Sequence, residues 1–357
     1  MVVLASALLV ATPFALRALP AADSDITARG LLDQVRSSQD HGWSGYVETE
    51  GTLQLPDADG FSDLGTLFGD VTRMRAWWQD ADHWRVDRLL MSGEKDLIHD
   101  GDLTTEWDYE DAEAEVSRDP DIRLPRTADL LPPELGRRLL RGVSATDVSR
   151  IPARRVAGMS APGLRVVPSS RLSSIDHVDL WADPDSGVPL LVEVYGAGRT
   201  AAFTSEFRDF SPRRPADDTV DFSPTPGTDV DFDDVIDIAD AANQYAPLRP
   251  PRKIAGLAKS PVSDGAVGVY GTGMTQVIVI PLRDSEADAL RDQLAVTPGV
   301  KQGLTGTFVS VGPLGVLLTG GEGVAGWLLA GTLTRDALDR AGDDLAGGFV
   351  FVEDDDR

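Results

Sequence analysis

The chain has 357 residues, 42% hydrophobic and 25% charged, which is enough apolar content for folded cores and more length than one core usually takes. A formal net charge of -25 opposes long-range attraction to nucleic acid and to anionic headgroups, so neither is an expected partner. Cysteine is absent, which removes disulfides, thiol catalysis and thiolate metal sites together and leaves the compartment open.

Val2 to Leu16 is almost wholly apolar and is followed by Arg17 and the small-residue stretch Ala18 to Ala22. A run of about 15 apolar residues suits a signal-peptide core and falls short of the roughly 20 that span a bilayer. No Lys or Arg precedes it, so residues 1–22 are expected to serve as an export signal or as the outer part of a longer anchor. Pro13 inside the run and the polar stretch after Ala22 argue against a buried core helix.

Thr27 can cap a short helix that places Leu31, Leu32 and Val35 on one face. Strands then dominate. Trp43 to Leu55 is rich in β-branched and aromatic residues, and Pro56 to Asp70 reads as a long Gly/Asp loop. Val71 to Gln79, His83 to Met91, Lys95 to Asp100 and Leu103 to Tyr109 follow as strands separated by turn chemistry, a meander. A helix is expected between about Thr127 and Ser149, opened by Pro132 and Pro133 and carrying the stripe Leu135, Leu139 and Leu140. Strands return at Arg155 to Met159, Leu164 to Val167, Ile175 to Ala182, Val188 to Tyr195 and Ala201 to Phe210, the first domain running over residues 25–211. Residues 212–261 are rich in Pro and Asp and read as a linker with a short helix up to Tyr245. Residues 262–357 alternate strands with helices at Ser285 to Leu294 and, capped by Thr334, up to Leu345, a smaller α+β domain.

Catalytic and metal signatures are missing. His41, His83, His99 and His177 have no zinc-type spacing, and Gly158 to Pro162 lacks the last glycine of a nucleophile elbow. Gly271 and Gly273 are followed by a strand, which makes them a hairpin turn and not a dinucleotide loop. The carboxylates from Asp217 to Asp240, and Asp57 to Gly60, do not follow calcium-loop order. Arg137, Arg138 and Arg141 hint at a local basic patch and read more simply as a solvated helix face. All tryptophans except Trp327 precede Pro184, and Trp77 and Trp78 must point to opposite faces of their strand.

The N-terminal domain resembles the lipoprotein-carrier (LolA-like) family, and the whole chain looks like the periplasmic sigma-factor regulators of the RseB/MucB type. The resemblance is carried by Trp84 to Asp87, the strand pair around Asp100 and Gly101 with Trp107 to Tyr109, Val178 to Leu190, Phe207 to Phe210, and, further on, Val269 to Gly273 with Trp327 to Gly331. It implies a mainly β protein: a half-open antiparallel β-barrel whose apolar concave face, covered by a helical lid, holds acyl chains, plus a C-terminal α+β domain for protein contacts. On that reading Val47, Trp84, Trp107, Leu135, Leu139 and Trp181 are candidate cavity residues, and no catalytic residue, cofactor or metal is expected. Two functions follow from it: an extracytoplasmic sensor that binds a lipid or lipoprotein and regulates a membrane-bound, anti-sigma-like partner, or a carrier that shuttles such cargo through the cell envelope.

Overall fold

The N-terminal helix forms where its cap and apolar spacing require it. Thr27 accepts a hydrogen bond from Gly30 N–H at 3.0 Å, and α1 (Ala28–Ser37) buries Leu31, Leu32 and Val35. Burying each of these is worth about 1.5–3 kcal/mol. The computed structural model describes residues 21–52, 67–69, 71–120, 122–232, 238–246, 248–261, 265–297, 299–321 and 325–351. The leader expected at residues 1–22 lies outside these except for its last two residues, as does most of the loop expected from Pro56 to Asp70.

The meander is β1 (Trp43–Gly51), β2 (Val71–Trp78), β3 (His83–Leu89), β4 (Glu94–Asp100), β5 (Leu103–Asp108) and β6 (Glu113–Arg118). β6 is not anticipated from sequence, because Val116 is the single large apolar residue in a run that otherwise holds Glu113, Ala114, Glu115, Ser117 and Arg118. A 3-10 turn at Thr127–Leu130 leads into α2 (Pro132–Leu139). The expected helix up to Ser149 is thus much too long. Gly142 takes a left-handed φ of 74°, and Ser144 N–H donates to Asp147 at 2.9 Å in the turn that follows.

The chain continues as β7 (Val148–Val156), β8 (Met159–Val166), β9 (His177–Ala182), β10 (Pro189–Tyr195) and β11 (Phe203–Ser211). The strand expected from Arg155 to Met159 is instead a hairpin turn, with Ala157 and Gly158 both at positive φ. The segment read as a linker holds a single helical turn, α3 (Asp217–Val220), a strand, β12 (Asp229–Phe232), and α4 (Ile238–Tyr245).

Among the described residues, twelve strands form one sheet in the order β12-β6-β5-β4-β3-β2-β1-β11-β10-β9-β8-β7. Every pairing is antiparallel except that of β12 with β6. The sheet is open and does not close into a barrel, β12 and β7 being its edges. α1 and α2 cover one face, over a core that includes Trp43, Val47, Met74, Trp78, Trp84, Leu164, Leu180, Val192 and Phe207. The opposite face is held by ion pairs, among them Arg73–Glu48–Arg208–Glu206 and Arg165–Asp179.

Short strands β13 (Leu248–Arg249), β14 (Lys253–Ile254) and β15 (Leu257–Ala258) lead to a second sheet of β16 (Gly268–Thr272), β17 (Thr275–Leu282), β18 (Lys301–Gln302), β19 (Gly306–Val311), β20 (Leu314–Thr319) and β21 (Gly326–Gly331). Its order is β16-β17-β21-β20-β19-β18. α5 (Asp284–Ala295) packs on one face with Val309 and Leu318. α6 (Arg335–Gly348), capped by the Thr334 hydroxyl, covers the other with Leu338, Ala341 and Leu345 over Tyr270, Val279 and Phe308. The final strand, β22 (Val350–Phe351), pairs with β13.

Candidate ligand cavity

Strand register sets the cavity floor. Trp43 lies opposite Trp78, Trp78 opposite Trp84, and Trp84 opposite His99, so four aromatic side chains from β1 to β4 share the helix-covered face. Their rings stack in series, with centroids 5.8, 5.5 and 5.1 Å apart and interplanar angles of 4°, 3° and 18°. Phe207 meets Trp43 edge-on at 5.1 Å. Such contacts add about 0.5–1.5 kcal/mol per pair beyond burial and fix the ring positions. Burial pulls the pKa of His99 down, keeping the last ring of the series neutral, with Nδ1 2.8 Å from the Thr104 hydroxyl.

The roof is α2, anchored at both ends. Gly136 brings it close to β9 and β10: a Cβ there would stand 3.2 Å from Leu180 and 3.3 Å from Pro189. Before the helix, buried Asp129 accepts from Arg123 at 2.8 Å, from Arg126 N–H at 2.8 Å and from Arg138 of α2. Burial alone would push the Asp129 carboxyl up. The Arg123 hydrogen bond and the charges of Arg138 and Arg123 outweigh it and hold it below the ordinary carboxylate range. At the C-terminal end, Arg36 of α1 donates to the carbonyls of Leu140 and Val143.

Between α1, α2 and the aromatic floor lies a cavity of about 390 Å³. Val35, Trp43, Trp78, Leu140 and Pro189 supply apolar wall, and Arg36, Arg137, Arg141 and Glu134 stand among the lining residues. The volume is on the scale of a small-ligand pocket, and Ser38 and Gln39 join the charged groups on the polar side of its lining.

The six residues predicted from sequence do not form this wall. Val47 is fully buried in the core on the same face, Trp84 stacks behind Trp78, and Leu135 and Leu139 of α2 are partly buried against that core. Trp107 and Trp181 are corrections. Trp107 lies opposite Asp96 on the other face of the sheet and packs with Ile98, Phe222 and Val230. Trp181 points away from its neighbour Leu180, donates from Nε1 to Pro152 O at 3.0 Å and lies under the Arg154 guanidinium at 4.5 Å. The parity of their strands puts them there. Trp43 and Trp78, which do line the cavity, could have been found by pairing β1 with β2 across the long loop.

Trp77 faces away from Trp78 as its position requires, between Arg75 and Arg85 at 5.7 and 5.8 Å. On that outer face Asp87, Glu94 and Asp96 converge, a grouping close enough for a cation. Arg85 holds Asp87 at 2.6 Å and Asp96 at 2.7 Å, and Arg75 holds Asp87 and Glu94, which makes the group an ion-pair network.

The two sheets meet beside the cavity. Ser173 Oγ donates to Met274 O at 2.8 Å, Ser174 N–H to Thr332 O at 3.1 Å and Thr334 N–H to Leu172 O at 2.8 Å. The β16–β17 turn touches the end of α2 at Gly273, where a Cβ would lie 2.4 Å from Arg141 O.

This geometry defines a class: an open, mainly antiparallel sheet with helices over one face, joined to a second, helix-covered sheet. The particular likeness is to MucB in the Pseudomonas aeruginosa MucA/MucB complex, at a TM-score of 0.52 and 15% identity over 91% of this chain and 99% of that one, a likeness of fold. MucB in complex with MucA(peri) gives 0.49 at 16% identity over 91% and 99%, and a LolA superfamily protein from Nitrosomonas europaea 0.25 at 12% over 55% and 98%. No family model and no curated protein matches the sequence.

Proposed function

We propose that this chain is a non-enzymatic protein of the cell envelope, outside the cytoplasm, that takes the acyl chain of a lipid or lipoprotein into a half-barrel cavity. In the same reading it regulates a membrane-bound protein partner of the anti-sigma-factor kind. The observation that carries the proposal is the double role of α2, which roofs the cavity over Trp43 and Trp78 and ends against the β16–β17 turn of the second sheet. Cavity occupancy and the second sheet therefore share one mechanical element. The likeness to MucB spans both sheets, and MucB was solved bound to MucA, which supports a protein partner here. A carrier needs only the twelve-stranded sheet, so the contact between sheets favours the regulator.

The test is a series of linear alcohols of increasing length titrated against the full chain, read by tryptophan fluorescence. Each methylene buried should add about 0.8 kcal/mol, close to fourfold in affinity. Affinity that does not grow with chain length refutes the acyl cavity.

A further inference from the structure

The end of the large sheet away from α2 carries charge that the molecule leaves unbalanced. α2 packs over β9 and β10, whereas β12, β6 and β5 stand together at the other end of the strand order. In the register of these three strands Asp229 lies beside Glu113, and Glu113 beside Asp108. Two residues further on, Asp231 lies beside Glu115, and Glu115 beside Glu106. Lys95 takes Asp108. Among the described residues Glu106, Glu113, Glu115, Asp229 and Asp231 form no ion pair, and all five are exposed. Like charges opposite one another on strands about 4.8 Å apart repel. Strand parity puts Val230 and Phe232 on the opposite face. Val230 packs on the Trp107 cluster, and Phe232, beside Val116, is 78% exposed.

The backbone of β12 is only half used. Asp229 N–H donates to Ala112 O at 2.8 Å, so Asp229 and Asp231 turn their peptide groups toward β6. Neighbouring residues of a strand turn theirs to opposite sides, which leaves those of Val230 and Phe232 at the open edge of the sheet. Among the described residues no strand pairs with that edge. Free peptide groups with carboxylates on one face and an exposed phenyl ring on the other are what an added strand recognises, through its main chain and its alternate side chains.

We propose that the open edge of β12 receives an extended segment of a partner protein that alternates basic and apolar residues. Charge complementarity selects this occupant. Its basic side chains lie beside Asp229 and Asp231 and face Glu113 and Glu115 in the row behind, and its apolar side chains cover Phe232. A chain of net charge -25 also draws a cationic segment from a distance. The site is separate from the cavity and stands whether or not an acyl chain binds there.

The probe is a short, fluorophore-labelled peptide alternating lysine and valine, titrated against the full chain at low ionic strength and read by anisotropy. It should bind and should weaken as salt is added. It should exceed oligolysine of equal length, and a lysine–proline alternation, by about threefold or more, because those supply charge without a strand that pairs. A glutamate–valine counterpart should not bind. Replacing Asp229→Asn together with Asp231→Asn should weaken the lysine–valine peptide about five- to tenfold. Val230→Pro removes the outward N–H, keeps both aspartates and spares the hydrogen bonds to β6, so it should bring that affinity down to the level of oligolysine. Thermal unfolding of both variants should match the parent. Oligolysine binding as tightly as the lysine–valine peptide, or an affinity unchanged by Val230→Pro, reduces the edge to a diffuse acidic surface and overturns strand addition. Binding that survives the loss of both aspartates, or no binding of the lysine–valine peptide, overturns it as well.

Discussion

Replacing Gly273 by alanine tests whether the roof helix and the second sheet act on one another. Gly273 sits at φ 59°, where a β-carbon costs about 1–2 kcal/mol. The added carbon would also stand 2.4 Å from Arg141 O and 3.1 Å from Leu139 O. Those atoms are backbone, so no rotamer change relieves the clash, and the turn must withdraw from the end of α2. Overpacking of this kind costs about 1–3 kcal/mol, and the two terms together give about 2–5 kcal/mol. Gly101→Ala supplies the reference, since Gly101 has nearly the same φ, 60°, with nothing within 4 Å of its Cβ position. It should lose about 1–2 kcal/mol from strain alone. Urea unfolding of the two variants isolates the contact as their difference, about 1–3 kcal/mol. Dodecanol affinity should shift in Gly273→Ala and stay unchanged in Gly101→Ala. Equal losses of stability with unchanged binding would refute the coupling.

Two further outcomes follow from the outer face of the large sheet. Burial, then the charge of Asp87, pushes the Asp96 carboxyl up to about 7 against the pull of Arg85. A carboxyl whose folded pKa is raised holds its proton in the native state while the unfolded state has released it, so stability falls as pH rises from about 4 to about 7 and levels off above. Unfolding midpoints at mildly acidic and mildly basic pH should therefore differ more in the parent than in Asp96→Asn, by about 1–2 kcal/mol at 1.36 kcal/mol per pKa unit; equal differences would refute this. Trp107→Ala should cost about 3–5 kcal/mol of stability and leave dodecanol affinity untouched, because Trp107 is on the face away from the cavity. Trp78→Ala should lower that affinity as well, and the reverse pattern would place the ligand on the wrong face.

Much of the architecture was readable from local chemistry. Turn residues such as Asp100 and Gly101, and the caps Thr27 and Thr334, act at short range and stand where the sequence puts them. The elements that differ from expectation are those whose ends are set by backbone conformation. Gly142 stops α2 early, and Ala157 with Gly158 turns an expected strand into a hairpin. The cavity was harder to read, because its floor joins Trp43 to Trp78 across 34 intervening residues. Sequence alternation says that Trp77 and Trp78 face apart. It does not say which of the two faces the helices cover, and for that reason Trp107 and Trp181 were grouped with residues on the opposite side.

An open sheet of twelve strands has two terminal strands, each able in principle to recruit a second copy and begin a fibre. Neither end of this one offers a usable template. β12 is four residues long and alternates Asp229 and Asp231 with Val230 and Phe232, so an identical strand laid against it would bring like charges together. At the other end the β7–β8 pairing shifts register between Ile151 and Arg154, and Pro152 lies in that break without an N–H to donate. The large sheet can thus stay open at both ends without presenting either terminal strand as a template for a second copy.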